Sequence, residues 1–190
     1  IINFSNLNVR DIFINISDVH FKSDTIYASI NNISGKDKSG FALKRLKGNA
    51  RVSGTETLVS DLYIADKYTN LNAQYFYMKY DSPRDFADFT EKVQMGISLE
   101  DSFLSFKTIG RIAPSLYNSS LAFYLNGEAS GTVKNIRTNS LTAVSQSGQT
   151  FIELGARVMG LPDVSRTMAI AEVKSSSTTC RDIATIVASI

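Results

Sequence analysis

Isoleucines at positions 12, 14 and 16 alternate with Phe13, Asn15 and Ser17, the period-two pattern of a strand with one apolar face. Asp18 ends that run. Val19 and Phe21 carry the pattern one register further, and Lys22-Ser23-Asp24 is a turn into Ile26, Ala28 and Ile30, again in alternation. A polar, glycine-flanked loop is expected at Ser34 to Gly40. Leu46, Gly48, Ala50 and Val52 then alternate with Lys47, Asn49 and Arg51, so one face is apolar and small while the other is polar and largely cationic. Ser53-Gly54-Thr55 turns the chain, Thr57 to Ile64 reads as a strand, Asp66 to Asn70 as a turn, and Leu71 to Tyr80 as an aromatic-rich strand.

The period changes once. Ser82 is placed to cap a helix, Pro83 suits its first position, and Asp85 completes a pattern close to a capping box. With Phe86 and Phe89 on one face, this predicts one short helix over 83–92. Val93, Met95, Ile97 and Leu99 return to alternation, and Phe103 to Phe106 is expected as the partner strand, joined near Glu100-Asp101-Ser102. Thr108 to Tyr117 contains Gly110 and Pro114 and suits a single helical turn before a loop at Asn118 to Ser120. Leu121, Phe123 and Leu125 resume period two, and Gly127, Ala129, Gly131 and Val133 continue that face with small residues, which predicts curvature. Leu141 to Val144 is a weak strand and Ser145 to Thr150 a turn. Phe151 to Val158 is a strand, Gly160-Leu161-Pro162-Asp163 a turn, and Thr167 to Lys174 a further strand; the end from Thr178 suits a short helix after Thr179. About eleven strands with turn signals every ~8 to 14 residues define an all-β protein.

Composition narrows the function classes. Twenty Lys and Arg against 18 Asp and Glu are spread evenly over 190 residues, without the concentrated basic patch of a nucleic-acid-binding protein. No stretch has the ~18 uninterrupted apolar residues of a membrane helix or the layout of a signal peptide. The chain starts at Ile1 and shows no internal composition shift, so residues 1–190 read as a single β-rich segment of a longer protein. One cysteine, Cys180, allows no internal disulfide and reads as a small apolar residue.

Catalytic chemistry lacks its parts. His20 is the single histidine, and Asp18 and Asp24 beside it read as turn residues rather than metal ligands. No nucleophile elbow, P-loop, zinc-protease motif or cysteine pair occurs. Gly127 and Gly131 have the spacing of a membrane-helix dimer motif but sit in polar, strand-like surroundings. Glu91, Glu100 and Asp101 read as solvated carboxylates, and the Asn-x-Ser sequons at Asn3, Asn15, Asn32 and Asn118 follow from an Asn- and Ser-rich composition. The expectation is a protein that is not an enzyme, with no catalytic residue, metal or cofactor.

Several segments together resemble the TamB translocation and assembly module family, AsmA-like envelope proteins of Gram-negative bacteria. They are Lys38-Ser39-Gly40-Phe41 with Leu43 and Leu46-x-Gly48, Tyr80-Asp81-Ser82 through Asp85-Phe86-x-Asp88-Phe89, and Leu104-Ser105-Phe106-Lys107 leading into Ile112-Ala113-Pro114-Ser115-Leu116. Gly127-x-x-Ser130-Gly131-Thr132-Val133 and Gly160-Leu161-Pro162-Asp163 follow; nothing after Cys180 takes part. The resemblance implies a periplasmic protein tethered to the inner membrane outside this segment, and a sheet curled lengthwise into an open, taco-like hydrophobic groove. It implies a role in phospholipid transport or outer-membrane protein assembly, with phospholipid or a nascent outer-membrane protein as cargo and an outer-membrane assembly partner. It carries no catalytic motif.

The residues themselves leave two architectures open, because alternation is identical in an open groove and in a closed β-sandwich. In the groove, the lining is expected from Ile12, Ile14, Ile16, Ile26, Ala28, Ile30, Val93, Met95, Ile97, Leu121, Phe123 and Leu125, with Phe86 and Phe89 narrowing it or sealing the core. A sandwich would instead suit an extracellular or surface module binding carbohydrate or protein, with Tyr63, Tyr75, Tyr77 and Tyr80 exposed.

Overall fold

Each strand of the chain bonds to the one before it. The computed structural model describes residues 8–38, 40–111 and 118–180. It shows ten strands: β1 (Val9–Lys22), β2 (Thr25–Asp37), β3 (Ala42–Val52), β4 (Glu56–Ala65), β5 (Asn70–Lys79), β6 (Gln94–Ser105), β7 (Ala122–Thr132), β8 (Asn135–Ser145), β9 (Phe151–Met159) and β10 (Met168–Ser177). They lie side by side in chain order as one antiparallel sheet, which is not closed into a barrel. Each strand's main contacts are with its immediate neighbours in the chain. The all-β expectation holds, as does the open curled sheet. The closed sandwich is overturned, because the described residues form a single sheet with no second layer among them for its apolar face to meet.

Short connections enforce this order. Lys22 pairs with Thr25 across a two-residue turn, and Thr132 pairs with Asn135 in the same way. Between β4 and β5, Asp66 Oδ1 accepts from the backbone N–H groups of Tyr68 and Thr69 at 2.6 and 2.7 Å, fixing that turn through its own side chain.

Every pairing except β4–β5 carries at least one register shift. Extra residues bend a strand and increase its twist, which is how one meander curls. Aspartates occupy several of the shifts: Asp11, Asp18, Asp61 and Asp101 have φ values of 53, 54, 50 and 44°, a left-handed conformation that Asp tolerates better than most residues.

These bulges explain where the strands differ from the sequence reading. Asp18 does not end the first strand but bulges within it. Glu100 to Ser102 is not a turn either, and β6 runs through it as one strand. Ser34 to Asp37, expected in a loop, extends β2, and Asn135 to Ser140, read as irregular, begins β8. About eleven strands are expected, and the described residues form ten.

The Asp101 bulge is closed by side chains. Fully buried Ser102 accepts from the Asn72 N–H at 2.9 Å and donates to the Asn72 carbonyl at 2.7 Å, replacing the missing ladder bonds. Asn126 Oδ1 accepts from the Asp101 N–H at 2.8 Å. Ser102→Ala leaves both Asn72 groups without their partner and is expected to cost about 2 kcal/mol. Urea unfolding at constant slope is the measurement, and a loss below about 0.5 kcal/mol would mean that water supplies those bonds equally well.

The expected helix over 83–92 forms as a 3₁₀ segment, Pro83–Asp88, that continues into α1, Phe89–Lys92. Ser82 caps it: its hydroxyl accepts from the Arg84 N–H at 3.3 Å, while Asp85 accepts from the Ser82 N–H at 3.0 Å. The Lys134 N–H donates to the Thr90 carbonyl at 3.1 Å and Lys134 pairs with Glu91, which fastens α1 to the β7–β8 turn. A second single turn, α2, spans Phe106–Ile109. The resemblance segment Ile112 to Leu116 and the C-terminal helix expected after Thr179 fall on or run into residues outside those described.

Candidate functional site

The register aligns the apolar positions of neighbouring strands into continuous rows. One row runs Ile26, Val52, Thr57, Met78, Met95, Gly131, Ile136, Val158, Ala169 across nine strands. Beside it lies Ala28, Ala50, Val59, Phe76, Ile97, Ala129. A third joins Ala73, Leu99, Gly127, Leu141, Leu154 and Val173. Cross-strand neighbours a few ångströms apart shield one another. Most of these side chains are half-buried, because they have neighbours beside them but no layer above them among the described residues.

Exposure rises toward both edges. On β1, Ile12, Ile14 and Ile16 are 59, 59 and 44 % exposed, and on β10 Val173 is 58 % exposed. In the middle of the sheet Leu62, Ala73 and Leu125 are buried. Between Phe76, Met95, Ile97, Ala129 and Ile136 the face sinks into a crease of about 130 Å³. An apolar surface running across the whole sheet and left uncovered is the property of a binding surface rather than of a solvated one.

Of the expected lining residues, Ile14, Ile16, Ile26, Ala28, Ile30, Met95, Ile97, Phe123 and Leu125 lie in these rows or in register beside them. Leu121 sits just before β7, its carbonyl accepting from the Phe106 N–H at 2.9 Å. Phe86 and Phe89 pack at one end of the face: Phe86 stands edge-on to Tyr80 at 4.9 Å, and Phe89 is 5.9 Å beyond it. The Tyr80 hydroxyl lies 3.2 Å from that of Thr57, which pairs with Met78. Val93 is fully buried and belongs to the packing near this helix rather than to the accessible lining.

Val52, Val59, Phe76, Met78, Ile136, Leu141 and Leu154 also occupy the apolar rows, though the expected groove lining did not include them. In β5 both faces carry large side chains, so Tyr75 and Tyr77 hide the alternation of Phe76 and Met78. In β8, polar residues surround Ile136.

The opposite face is polar. Burial and the Glu128 carboxylate, to which it donates at 3.0 Å, push the Tyr75 hydroxyl above the ordinary tyrosine range. His20 stacks on Tyr27 at 5.1 Å and donates through Nδ1 to the Asp18 carbonyl at 2.9 Å, while Asp24 accepts from Thr25 Oγ1 at 3.1 Å. Among the described residues no group of three or more His, Cys, Asp or Glu side chains gathers as metal ligands. No helix among them is long and apolar enough to cross a membrane. Tyr63, Tyr75 and Tyr77 are half-buried, and Tyr80 is buried.

No protein-family model, curated protein or solved structure matches the chain.

Proposed function

We propose that the chain is a non-enzymatic segment of a periplasmic envelope-biogenesis protein of the TamB-like kind, holding the hydrophobic part of its cargo against the uncovered face of the sheet. The observation that carries this reading is the register, which lines up apolar side chains from strand to strand, with no covering layer among the described residues. The resemblance in sequence points the same way. Phospholipid is the cargo that fits first. Each methylene removed from water contributes about 0.8 kcal/mol, so a chain of roughly 16 carbons gains on the order of 10 kcal/mol along such a surface. Rows of similar composition give successive positions similar affinity, so an acyl chain slides without a trap. An unfolded outer-membrane strand is the competing cargo, held by the same face and by the outer edges of β1 and β10, which have no partner strand among the described residues.

Mass spectrometry of protein purified without detergent tests the reading. Co-purifying phospholipid is the expected result. Lipid-free protein that also takes up no added phospholipid would remove lipid as the cargo, and capture of unfolded outer-membrane barrel segments under those conditions would assign the strand instead.

A further inference from the structure

On the polar face, one cross-strand row runs Tyr77, Gly96, Ser130, Arg137, Arg157, Ile170. Arg137 on β8 and Arg157 on β9 are direct partners in the antiparallel register, so the fold sets two guanidinium groups side by side. Like charges in that position destabilise a sheet. A third cation, Lys174 on β10, borders the same space.

The floor is made of small residues. Gly96, Ser130 and Gly155 contribute little or no side chain between the long walls of Tyr77, Arg137, Arg157 and Lys174, and a groove of about 840 Å³ results. The Tyr77 ring lies over Gly96, where a Cβ would come within 2.3 Å of it, so any larger residue there displaces that ring. Glycine within a strand marks a place where something approaches the backbone closely.

The charges are left available. Arg137 and Lys174 have no hydrogen bond or ion pair among the described residues. Arg157 lines the groove and is oriented by its Nε–H, which donates to Asn135 Oδ1 at 2.7 Å; no ion pair engages its terminal nitrogens among the described residues. One carboxylate, Glu172, lines the groove with them. Glu128 borders an adjoining hollow and accepts from the Tyr75 hydroxyl, and Glu153 accepts from Ser140 Oγ at 3.0 Å. Three cations therefore meet one carboxylate inside the groove.

The geometry points to a phosphate-ester site on the polar face, in which Arg137 and Arg157 grip the phosphate and Lys174 completes its neutralisation. Paired guanidinium forks match phosphate oxygens in geometry and charge, and a bound phosphate turns the opposed arginines from a cost into a clamp. The groove is larger than a bare phosphate requires and lies in the size range of sites for small organic ligands, so the phosphate carries an organic group. This site lies on the other side of the sheet from the apolar rows and does not rest on the lipid reading. Its phosphate ester comes either from a soluble metabolite or from a phospholipid headgroup.

Calorimetric titration with glycerol 3-phosphate, against glycerol as the uncharged control, is the test. Saturable binding that Arg137→Gln and Arg157→Gln each weaken by about tenfold, while Lys44→Gln on the exposed part of β3 leaves it unchanged, is the expected result. Because the substitutions also remove the like-charge contact, both variants are expected to melt at or above the parent temperature, which separates a binding role from a structural one. Absence of binding, or binding that both variants keep, or equal weakening by Lys44→Gln, overturns the site. Flotation with phosphatidylglycerol vesicles, compared with phosphatidylcholine vesicles, assigns the source. Flotation specific to the anionic vesicles and lost in Arg137→Gln identifies a headgroup; glycerol 3-phosphate binding without such flotation identifies a soluble ester.

Discussion

Gly131→Ala is expected to be among the most damaging single substitutions in this protein, lowering stability by roughly 3 kcal/mol or more. Two independent costs converge there. Gly131 has a φ of 135°, a conformation that L side chains rarely adopt, and an added Cβ would stand 2.0 Å from the Asn135 carbonyl oxygen. That oxygen belongs to backbone at the start of β8, so relief requires displacing the strand rather than rotating a side chain. Gly127, with a φ of 136° and a Cβ position 2.5 Å from the Ser140 carbonyl oxygen, shares the problem one bulge further along. For a chain of this size the Gly131 loss corresponds to a fall in melting temperature of about 6 to 12 °C. Calorimetric melting of Gly131→Ala beside Gly54→Ala supplies the contrast, since nothing lies within 4 Å of a Cβ at Gly54. Equal melting temperatures for the two variants would show that the β7–β8 crossing yields without cost.

The second large effect is a difference between two aspartates. Ile14→Asp places a carboxylate on a side chain that is already 59 % exposed, so it is expected to fold with a melting temperature within about 2 °C of the parent. Val93→Asp puts the same group where no solvent reaches, and is expected to cost about 4 kcal/mol or more, enough to leave much of the protein unfolded. If the apolar rows hold acyl chains, Ile14→Asp also lowers bound phospholipid roughly fivefold, because a charge now faces the hydrocarbon. Far-ultraviolet circular dichroism and lipid extraction of both variants decide the matter. Collapse of the Ile14→Asp fold would mean that this edge is covered in solution, and the open-face reading would fail with it.

Much of this architecture could be read along the chain because its information is local. Alternation in Ile12-Phe13-Ile14-Asn15-Ile16 depends on neighbours two apart, and the Ser82-Pro83 cap needs only the next few residues. Both features appear where that reading places them, as do the turns at Ser23-Asp24 and Ser53 to Thr55 and the curvature at Gly127 and Gly131. What escaped depends on partners distant in sequence. Asp18 and Asp101 look like the ends of strands, and only the continued ladder beyond them shows that each is an extra residue within one. Asn135 to Ser140 has a single large apolar residue and becomes a strand because β7 and β9 bond to it from both sides. The same holds for the sites. The apolar face is legible strand by strand, but its continuity is a property of register, and the juxtaposition of Arg137 with Arg157 leaves no trace in local spacing.

The bulges of β1 make the two outer edges of the sheet unequal. With three register shifts against β2 and aspartates at positions 11 and 18 in left-handed bulges, β1 does not offer along its length the even spacing that a pairing strand needs. β10 carries a single shift, between Val173 and Ser175, and keeps an unbroken run from Met168 to Val173. Of the two outer edges among the described residues, that of β10 is therefore the more evenly spaced ladder, so an outwardly repetitive meander has two unequal flanks.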